Sequence, residues 1–559
     1  MAPVTLADEA LNVVPSTQDG DLFRTDRVLV EAVERHQATD HLDQLGELGR
    51  LAAAPRTQRW AELVDQCPPR LRSHDPFGRR LDQVDYHPAW HRLLQAGVRA
   101  GLAASPWGAD SPRAAHTARA AGMVVWAQVD VGHLVPLSTT YAAVPALRAS
   151  QPLLDRWLPR LASRSYESTA RPPAAQVGAL AGLAVTEVQG GSDLRGSTTV
   201  ATVATAATQA PLDGGDAYRL TGHKWFCSSP MSDVFVVLAQ APGGLTCFLV
   251  PRLLYDGARN GWQLTRLKPT VGARACGAAE IELTGAWGTR LGDEGRGLRV
   301  LTGMVSATRL DGTLISAGVI RRAVSSSIHH TRHRQAYGSA LLDKPLMQNV
   351  LADLALESEA ATVIGIRLAA AVDAGENDLL KAAVPVAKFW VTKRATWVVA
   401  EAMECLGGNG YVEDHGMARL FRDSPLTSLW EGAGNVAALD VLRAMTLQPR
   451  SMEVLLGEED RARGADPRLD QAMDEVAGFL QAASREARRD PAAVEAGARW
   501  MVERLAVVLQ ASLLLRHAPA AVSTTFLASR VAGGGGTLFG TLPVGRKTTS
   551  AIVDRHLPG

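Results

Sequence analysis

The sequence predicts an α+β protein: an N-terminal helical domain, a central antiparallel β-domain, and a C-terminal helix bundle carrying an extra helical module. Three observations carry this reading. Residues 1–182 place apolar side chains at three- and four-residue spacing, as in 29–37 (LVEAVERHQ) and 114–131. Residues 183–292 change to short β-rich runs, 234–239 (VFVVLA), 246–250 (TCFLV) and 280–283 (EIEL), too closely spaced to leave room for crossover helices, so an antiparallel sheet or small barrel follows. Helical periodicity then returns over 293–448 and again over 449–559.

Each element has its own local signal. Pro/Gly clusters at 68–78 and 105–112 punctuate the first helical stretch, and 87–94 (HPAWHRLL) starts a helix with Pro88 in its first turn. Pro242-Gly243-Gly244, Asp256-Gly257 and Gly285 bound the β-runs. In the bundle, 298–304 reads as a short first piece, followed by helices at 314–330, 346–374, 384–406 and 435–447. Residues 447–450 lead into the last module, which Gly-rich 533–536 interrupts.

A chain of 559 residues is expected to hold three or four packed units. With 46% hydrophobic and 21% charged residues it has the composition of a globular protein, and a formal charge of +1 gives no global attraction to nucleic acid or anionic lipid. Cys67, Cys227, Cys247, Cys276 and Cys405 form no CxxC pair and read as reduced thiols. The first 15 residues have neither a basic start nor an apolar core, and the apolar run at 505–515 falls short of the roughly 20 residues that span a bilayer. These features predict a soluble, cytoplasmic protein without a membrane partner.

Five segments contain candidate chemistry. Glu431 in SLWEGAGN (428–435) is a carboxylate beside glycines at a helix start, suited to a base next to backbone donors, or to a charge complementing the helix dipole. In AVTEVQGGSDLRGS (184–197), Thr186, Gly190, Gly191 and Ser192 offer amide and hydroxyl donors, or form a plain turn. GHKWFCSS (222–229) is a strand with an aromatic pair. RHRQAYG (332–338) ends a bundle helix with Arg334 ahead of an aromatic-Gly pair. EAMECLGGNGY (401–411) ends another helix in glycines that either cap it or admit a close ligand. His329 and His333 sit one helical turn apart, but no nearby Cys or carboxylate completes a metal set, so no metal is expected.

Taken in order, these segments resemble the acyl-CoA dehydrogenase superfamily over roughly residues 80–447. The family's TE-x-x-x-GSD-like segment is matched by Thr186-Glu187 and Gly191-Ser192-Asp193, with one extra residue in the spacer. Its GxKxWI(T/S)N-like strand is matched by Gly222, Lys224, Phe226 and Ser228. GDEGRGL (292–298) resembles its turn into the bundle. Arg334, Tyr337 and Gly338 match its R-x-x-F-G segment, and GGNGY (407–411) another cofactor contact. Arg422, Asp423, Trp430, Glu431 and Gly432 match its closing motif. The long N-terminal region with DYHPAWHRLL (85–94), the C-terminal module with GTLFGTLPVG (536–545), and WEGAGN resemble the AidB-type branch, named for alkylation-defence flavoproteins.

The resemblance implies FAD as cofactor, contacted by Thr186, Gly191, Ser192, Phe226, Ser228, Arg334, Tyr337, Glu404, Gly407, Gly408, Trp430 and Asn435, with the Arg334 and Gly407-Gly408 segments reaching a neighbouring subunit's FAD in a homotetramer. It implies α,β-dehydrogenation of a short or branched acyl thioester, with Glu431 as base and Ser192, Arg309, Glu431 and Gly432 at the substrate. Some members place the base on another helix, before an Arg; here that position is Thr308, before Arg309, which cannot serve as a base near neutral pH. Val188, Ala433, Asn435 and Glu404 depart from common family residues, and Trp430 is bulkier than the usual Tyr. Two further readings come with the resemblance: a protective flavoprotein that binds duplex DNA and has little dehydrogenase activity, and a flavin oxidase or monooxygenase. Residues 451–559 carry 13 basic and 13 acidic side chains, which weighs against DNA. Glu431 weighs against the oxidases, which tend to carry a different carboxylate there.

Overall fold

A computed structural model describes residues 12–16, 20–204 and 216–557; residues 1–11, most of the stretch read for a leader, lie outside them. The chain divides into two compact units. One gathers Met1–Pro55, Thr313–Ser428 and Ala437–Gly559, the other Arg56–Gly312 with Leu429–Val436. This is a division by packing, whereas the four segments expected above are a division by sequence pattern.

In the second unit, helix Pro55–Gln66 leads into an antiparallel hairpin, β1 (Arg70–His74) and β2 (Arg80–Asp85), in a stretch read from sequence as helical. The alternation was hidden because one inward position of β2 is charged. Asp82 and Val84 are buried while Gln83 and Asp85 are exposed. Buried Asp82 is held by Arg80 Nε, by the Leu264 amide at 3.1 Å, and by the Arg259 guanidinium. Helices Pro88–Arg99, Ala115–Ala127, Leu134–Leu147 and Gln151–Leu161 follow. The first starts at Pro88 as expected, and His87 Nδ1 accepts from the Ala89 amide at 3.1 Å.

The β-domain of this unit contains β3 (Ala181–Ala184), β4 (Val200–Val203), β5 (Ala217–Cys227), β6 (Val234–Ala241), β7 (Gly244–Pro251), β8 (Trp262–Leu267) and β9 (Ala279–Leu291). Pairings run β6–β7–β9–β5–β4 and return to β6 through Val200↔Gln240, so the sheet curls into a nearly closed barrel. Most pairs are antiparallel. The exceptions are β3–β6 and the single β4–β6 bridge, which are parallel; β3 arrives from the helical segment and no hairpin sets its direction. Strand β6 is buried on both faces, which explains its unbroken apolar run.

Helix Gly297–His333 is continuous, where the sequence suggested a short piece and a separate helix. Thr308, in the intervening stretch, does not break it because its side chain bonds back to its own helix: Oγ1 lies 3.2 Å from Met304 O and 3.1 Å from Val305 O.

In the first unit, helices Pro345–Asp373 and Asn377–Cys405 pack together, and the C-terminal helices Pro449–Asp460, Pro467–Glu486, Pro491–His517 and Arg546–His556 pack in the same body. Buried ion pairs hold the C-terminal segment in place. Glu357 accepts from Arg394 Nη2 at 2.8 Å and Arg530 Nε at 3.0 Å; Glu458 accepts from Arg367 Nη2 at 3.0 Å and Arg516 Nη2 at 2.7 Å; Glu359 accepts from Arg555 Nε at 3.0 Å. Among the described residues no helix is long and apolar enough to cross a membrane.

Burial alone would raise the Glu357 carboxyl, but Arg394 and Arg530 outweigh it and hold it at about 2. A carboxylate held below its unfolded value adds stability that is complete above the unfolded pKa, about 4.5, and is lost as pH falls toward 2. E357Q is therefore expected to be less stable than the parent by about 3 kcal/mol at pH 7. The difference should shrink steadily below about pH 4.5. Urea-unfolding midpoints measured across that range test this; a pH-independent difference would contradict it.

Candidate active site

The 184–192 segment and strand β5 form one local structure. The Trp225 amide donates to Thr186 O at 2.8 Å, and the Ser228 amide to Leu183 O at 3.1 Å, which places Thr186 beside the Phe226–Ser228 end of β5. Glu187 and Gly190 exchange two amide–carbonyl bonds of 3.1 Å, closing a tight turn. The turn needs glycine next: a Cβ on Gly191 would stand 2.9 Å from Thr186 Cγ2. Gly191 and Ser192 follow the turn and are exposed, and Phe226 is 46% exposed. Lys268 Nζ stands 4.7 Å from the Phe226 ring centre and 3.1 Å from that of Trp225. A half-exposed aromatic ring beside a glycine turn rich in amides and hydroxyls fits a flavin nucleotide.

Beneath this surface lies a pair whose role sequence reasoning missed. Glu187 is 1% exposed, and its Oε1 is 2.6 Å from Lys224 Nζ, which is fully buried. The same carboxylate accepts from the Thr198 amide at 2.7 Å, Thr198 Oγ1 at 2.9 Å and Thr199 Oγ1 at 2.6 Å. Burial opposes the charge, but Lys224 and these hydrogen bonds hold the Glu187 carboxyl well below the usual range. A signal was present: Tyr218, Leu220 and Lys224 share the inward phase of β5, and a lysine in that phase needs a buried acid.

The second cluster forms around Glu431. Arg309, buried in helix Gly297–His333, donates from Nε to Glu431 O at 3.0 Å. Glu431 has a left-handed backbone (φ 56°), followed by Gly432 at φ 94°. A Cβ on Gly432 would stand 2.9 Å from Val436 Cγ1 and 3.2 Å from Arg309 Nη2, so glycine here admits the guanidinium. Asp311 lies two residues beyond Arg309, about 200° around the helix. It takes both Nη atoms of buried Arg119, at 2.6 and 2.8 Å. That pair ties the helix to the Ala115–Ala127 helix, so Arg309 emerges on the opposite face. Thr308 is buried with its hydroxyl directed to its own helix. Trp430 is half-buried, and Asn435 is exposed near the start of helix Gly434–Leu447.

The remaining expected residues fall in the first unit. Arg334 Nη1 donates to Asn12 O at 2.8 Å, and the Gln335 amide to Asn12 Oδ1 at 2.7 Å. Tyr337 follows with φ 50° and 97% exposure. Glu404 is exposed on the last turn of helix Asn377–Cys405; Gly407 (φ 59°) and Gly408 are also exposed, and Tyr411 is 83% exposed. His329 Nε2 is 2.8 Å from Pro15 O, and the described residues contain no group of three potential metal ligands.

Comparison with known proteins agrees with this fold. Residues 12–168 match the Adaptive response protein AidB N-terminal domain, 182–286 the acyl-CoA dehydrogenase middle domain, and 295–446 the acyl-CoA dehydrogenase C-terminal domain. The chain belongs to the acyl-CoA dehydrogenase family of FAD-dependent oxidoreductases acting on CH–CH bonds, within its AidB branch. The Putative acyl-CoA dehydrogenase AidB of Escherichia coli (strain K12) is 39% identical over 477 residues, covering 84% of this chain and 86% of the relative. The solved structure Bd2924 apo-form aligns with a TM-score of 0.80 at 26% identity, over 91% of this chain and 100% of the other. Caenorhabditis elegans ACDH-11 in complex with C11-CoA shares the fold, with a TM-score of 0.79 at 24% identity over 95% of both chains.

The Glu187–Lys224 pair yields a prediction. E187Q leaves the Lys224 ammonium buried without its counter-charge, a change that costs about 3–5 kcal/mol. A lowered melting temperature and loss of FAD during gel filtration are the expected outcomes. Unchanged melting and full FAD retention would contradict this account.

Proposed function

We propose that the protein binds FAD and catalyses α,β-dehydrogenation of a short or branched acyl thioester, with Glu431 as the base. The observation that carries the reading is the Arg309–Glu431 contact, which anchors the backbone of a carboxylate on a left-handed, glycine-flanked turn. A thioester α-proton is weakly acidic, so its removal requires a fixed base and donors for the carbonyl oxygen as negative charge develops there. Glu431 takes the α-proton on its carboxylate. Its backbone amide is one donor to the thioester oxygen, and Arg309 keeps that backbone from rotating away. FAD, when bound, supplies the acceptor for the β-hydride. Thr186, Gly191, Ser192, Phe226 and Ser228 would hold the cofactor from the β-domain. The relative described with C11-CoA supports an acyl-CoA as the substrate class.

Trp430 stands beside the base as a large, half-buried ring and narrows the room for an acyl chain, which favours compact substrates. A homotetramer accompanies the reading. Tyr337 and Tyr411, 97% and 83% exposed, lie in the two segments that in this family reach a neighbouring subunit's FAD.

Anaerobic addition of a short branched acyl-CoA should bleach the flavin of the purified holoenzyme. E431Q should keep the FAD spectrum and slow bleaching by about 10²–10⁴-fold, the range of general-base catalysis. No bleaching by any acyl-CoA, or equal rates in E431Q, would overturn the assignment.

The match to an adaptive-response N-terminal domain favours one second reading, a protective protein bound to duplex DNA. The C-terminal segment weighs against it, because Arg516, Arg530 and Arg555 are engaged with Glu458, Glu357 and Glu359. No retardation of duplex DNA is expected at micromolar protein and moderate salt. Salt-dependent retardation would restore the second reading.

A further inference from the structure

Within the Arg56–Gly312 unit a cleft of about 460 Å³ lies among the β1–β2 hairpin, the Tyr166–Ala170 segment, the start of helix Pro88–Arg99 and the ends of β6–β8. None of the residues expected to touch flavin or thioester lines it. Tyr86, Trp90, Tyr166, Met231 and Trp262 give it apolar walls, and exposed Gln83, Asp85 and 168–170 form its rim. Its volume falls in the range of small-molecule sites.

The cleft's polar atoms are what call for a ligand. Trp90 Nε1, Trp262 Nε1, Arg252 Nε, Ser229 Oγ and Ser232 Oγ are all shielded from solvent and lack a hydrogen-bond partner among the described residues. Trp90, Trp262, Ser229 and Ser232 are at most 5% exposed. One unsatisfied buried group costs about 1–3 kcal/mol. Five on residues that line a single cleft describe a site completed by something else. Three of the five are N–H groups, which only donate, and the other two are hydroxyls, so the missing partner must be rich in acceptors. Arg252 is further under-satisfied, because its Nη1 faces Met231 Sδ at 3.3 Å and a thioether is a weak acceptor.

The acids in the walls make no hydrogen bond to these donors, although Asp233 lies near enough to Arg252 for their charges to interact. Asp82 is paired with Arg259 and Arg80, Asp85 with Arg72, and Glu167 with Arg171. Asp233 turns its oxygens to the Leu180 amide at 2.8 Å and Gln176 Nε2 at 3.0 Å. A carboxylate offers about four lone-pair sites on two oxygens and matches a guanidinium geometrically; a neutral carbonyl offers two. We propose that this cleft is a binding site for a small aryl monocarboxylate, its oxygens on the Arg252, Ser229 and Ser232 donors and its ring among Tyr86, Trp90 and Trp262. The site is separate from the Glu431 turn and its occupancy does not depend on the reaction proposed above.

Benzoate is the probe, titrated into the full-length FAD-loaded protein by ligand-observed NMR and calorimetry. The expected result is saturable binding with a Kd at or below about 1 mM. Benzamide should bind at least about tenfold more weakly, as should benzoate to R252M. E431Q should bind benzoate like the parent, which separates failure of this site from failure of the dehydrogenase reading. Melting temperature and flavin absorbance check that R252M is folded; if it is not, the S229A/S232A double variant replaces it with the same expected weakening. No saturation by 10 mM benzoate, equal affinity for benzamide, or full affinity in a folded variant would overturn the proposal and leave a cleft filled by water alone.

Discussion

A lysine ammonium and a glutamate carboxylate meet in the interior of the β-domain, and the expected flavin-binding surface is built over that contact. Glu187 and Lys224 come from segments 37 positions apart, and their 2.6 Å contact fixes the 186–192 turn against the end of β5. Each charge would be expensive alone in that interior. Thr198 and Thr199 spend amides and hydroxyls on the same carboxylate, so the approach to β4 is set as well. Thr186, Gly191, Ser192, Phe226 and Ser228 therefore take their positions from a pair that touches neither expected ligand. The extra residue in the Thr186–Ser192 spacer is accommodated because the turn closes through Glu187 and Gly190 around Val188 and Gln189, and Gly191 and Ser192 follow it, exposed.

The Glu431 turn obeys the same logic through a different device. A left-handed glutamate is strained, and the strain persists only where surroundings over-determine it. Asp311 locks one face of helix Gly297–His333 to Arg119, Arg309 leaves the other face, and its guanidinium captures the Glu431 carbonyl. Gly432 makes the approach sterically open. The proposed base's position thus depends on a helix and a turn that are 122 residues apart in sequence.

Much of this was legible in the sequence, and the limits have physical causes. The apolar run of β6, the Pro242-Gly243-Gly244 turn and the Pro88 helix start follow from local preferences that act over a few residues, and they appear where expected; Gly285, expected to end a β-run, instead lies inside β9. The β1–β2 hairpin was missed because a buried aspartate with its own guanidinium partners occupies a core position of β2 and erases the alternation. The break expected in helix Gly297–His333 was wrong because hydroxyl groups that favour turns in isolation can also satisfy themselves on the preceding helical turn. Glu431 was legible as a residue type in a motif. Its clamp was not, since nothing local links Arg309 to it.

The C-terminal segment shows how composition and structure can give the same answer at different depths. Its 13 basic and 13 acidic residues cancel on paper. In the fold, Arg461, Arg463, Arg468, Arg504, Arg516, Arg530 and Arg555 each lie within salt-bridge distance of a carboxylate. Three of these acids, Asp353, Glu357 and Glu359, belong to helix Pro345–Asp373, so positive charge that would otherwise face solvent is used to hold the segment within its own unit. Arg485, Arg488 and Arg489 are exposed and clustered at the end of helix Pro467–Glu486, but Glu486 and Asp490 lie among them, also exposed. A phosphate backbone rewards uninterrupted positive charge, and this surface does not present it there. The same pairing that removes charge from the surface anchors the helices on which the segment's stability depends, so neutralising its arginines would loosen the fold before it altered any affinity for an anion.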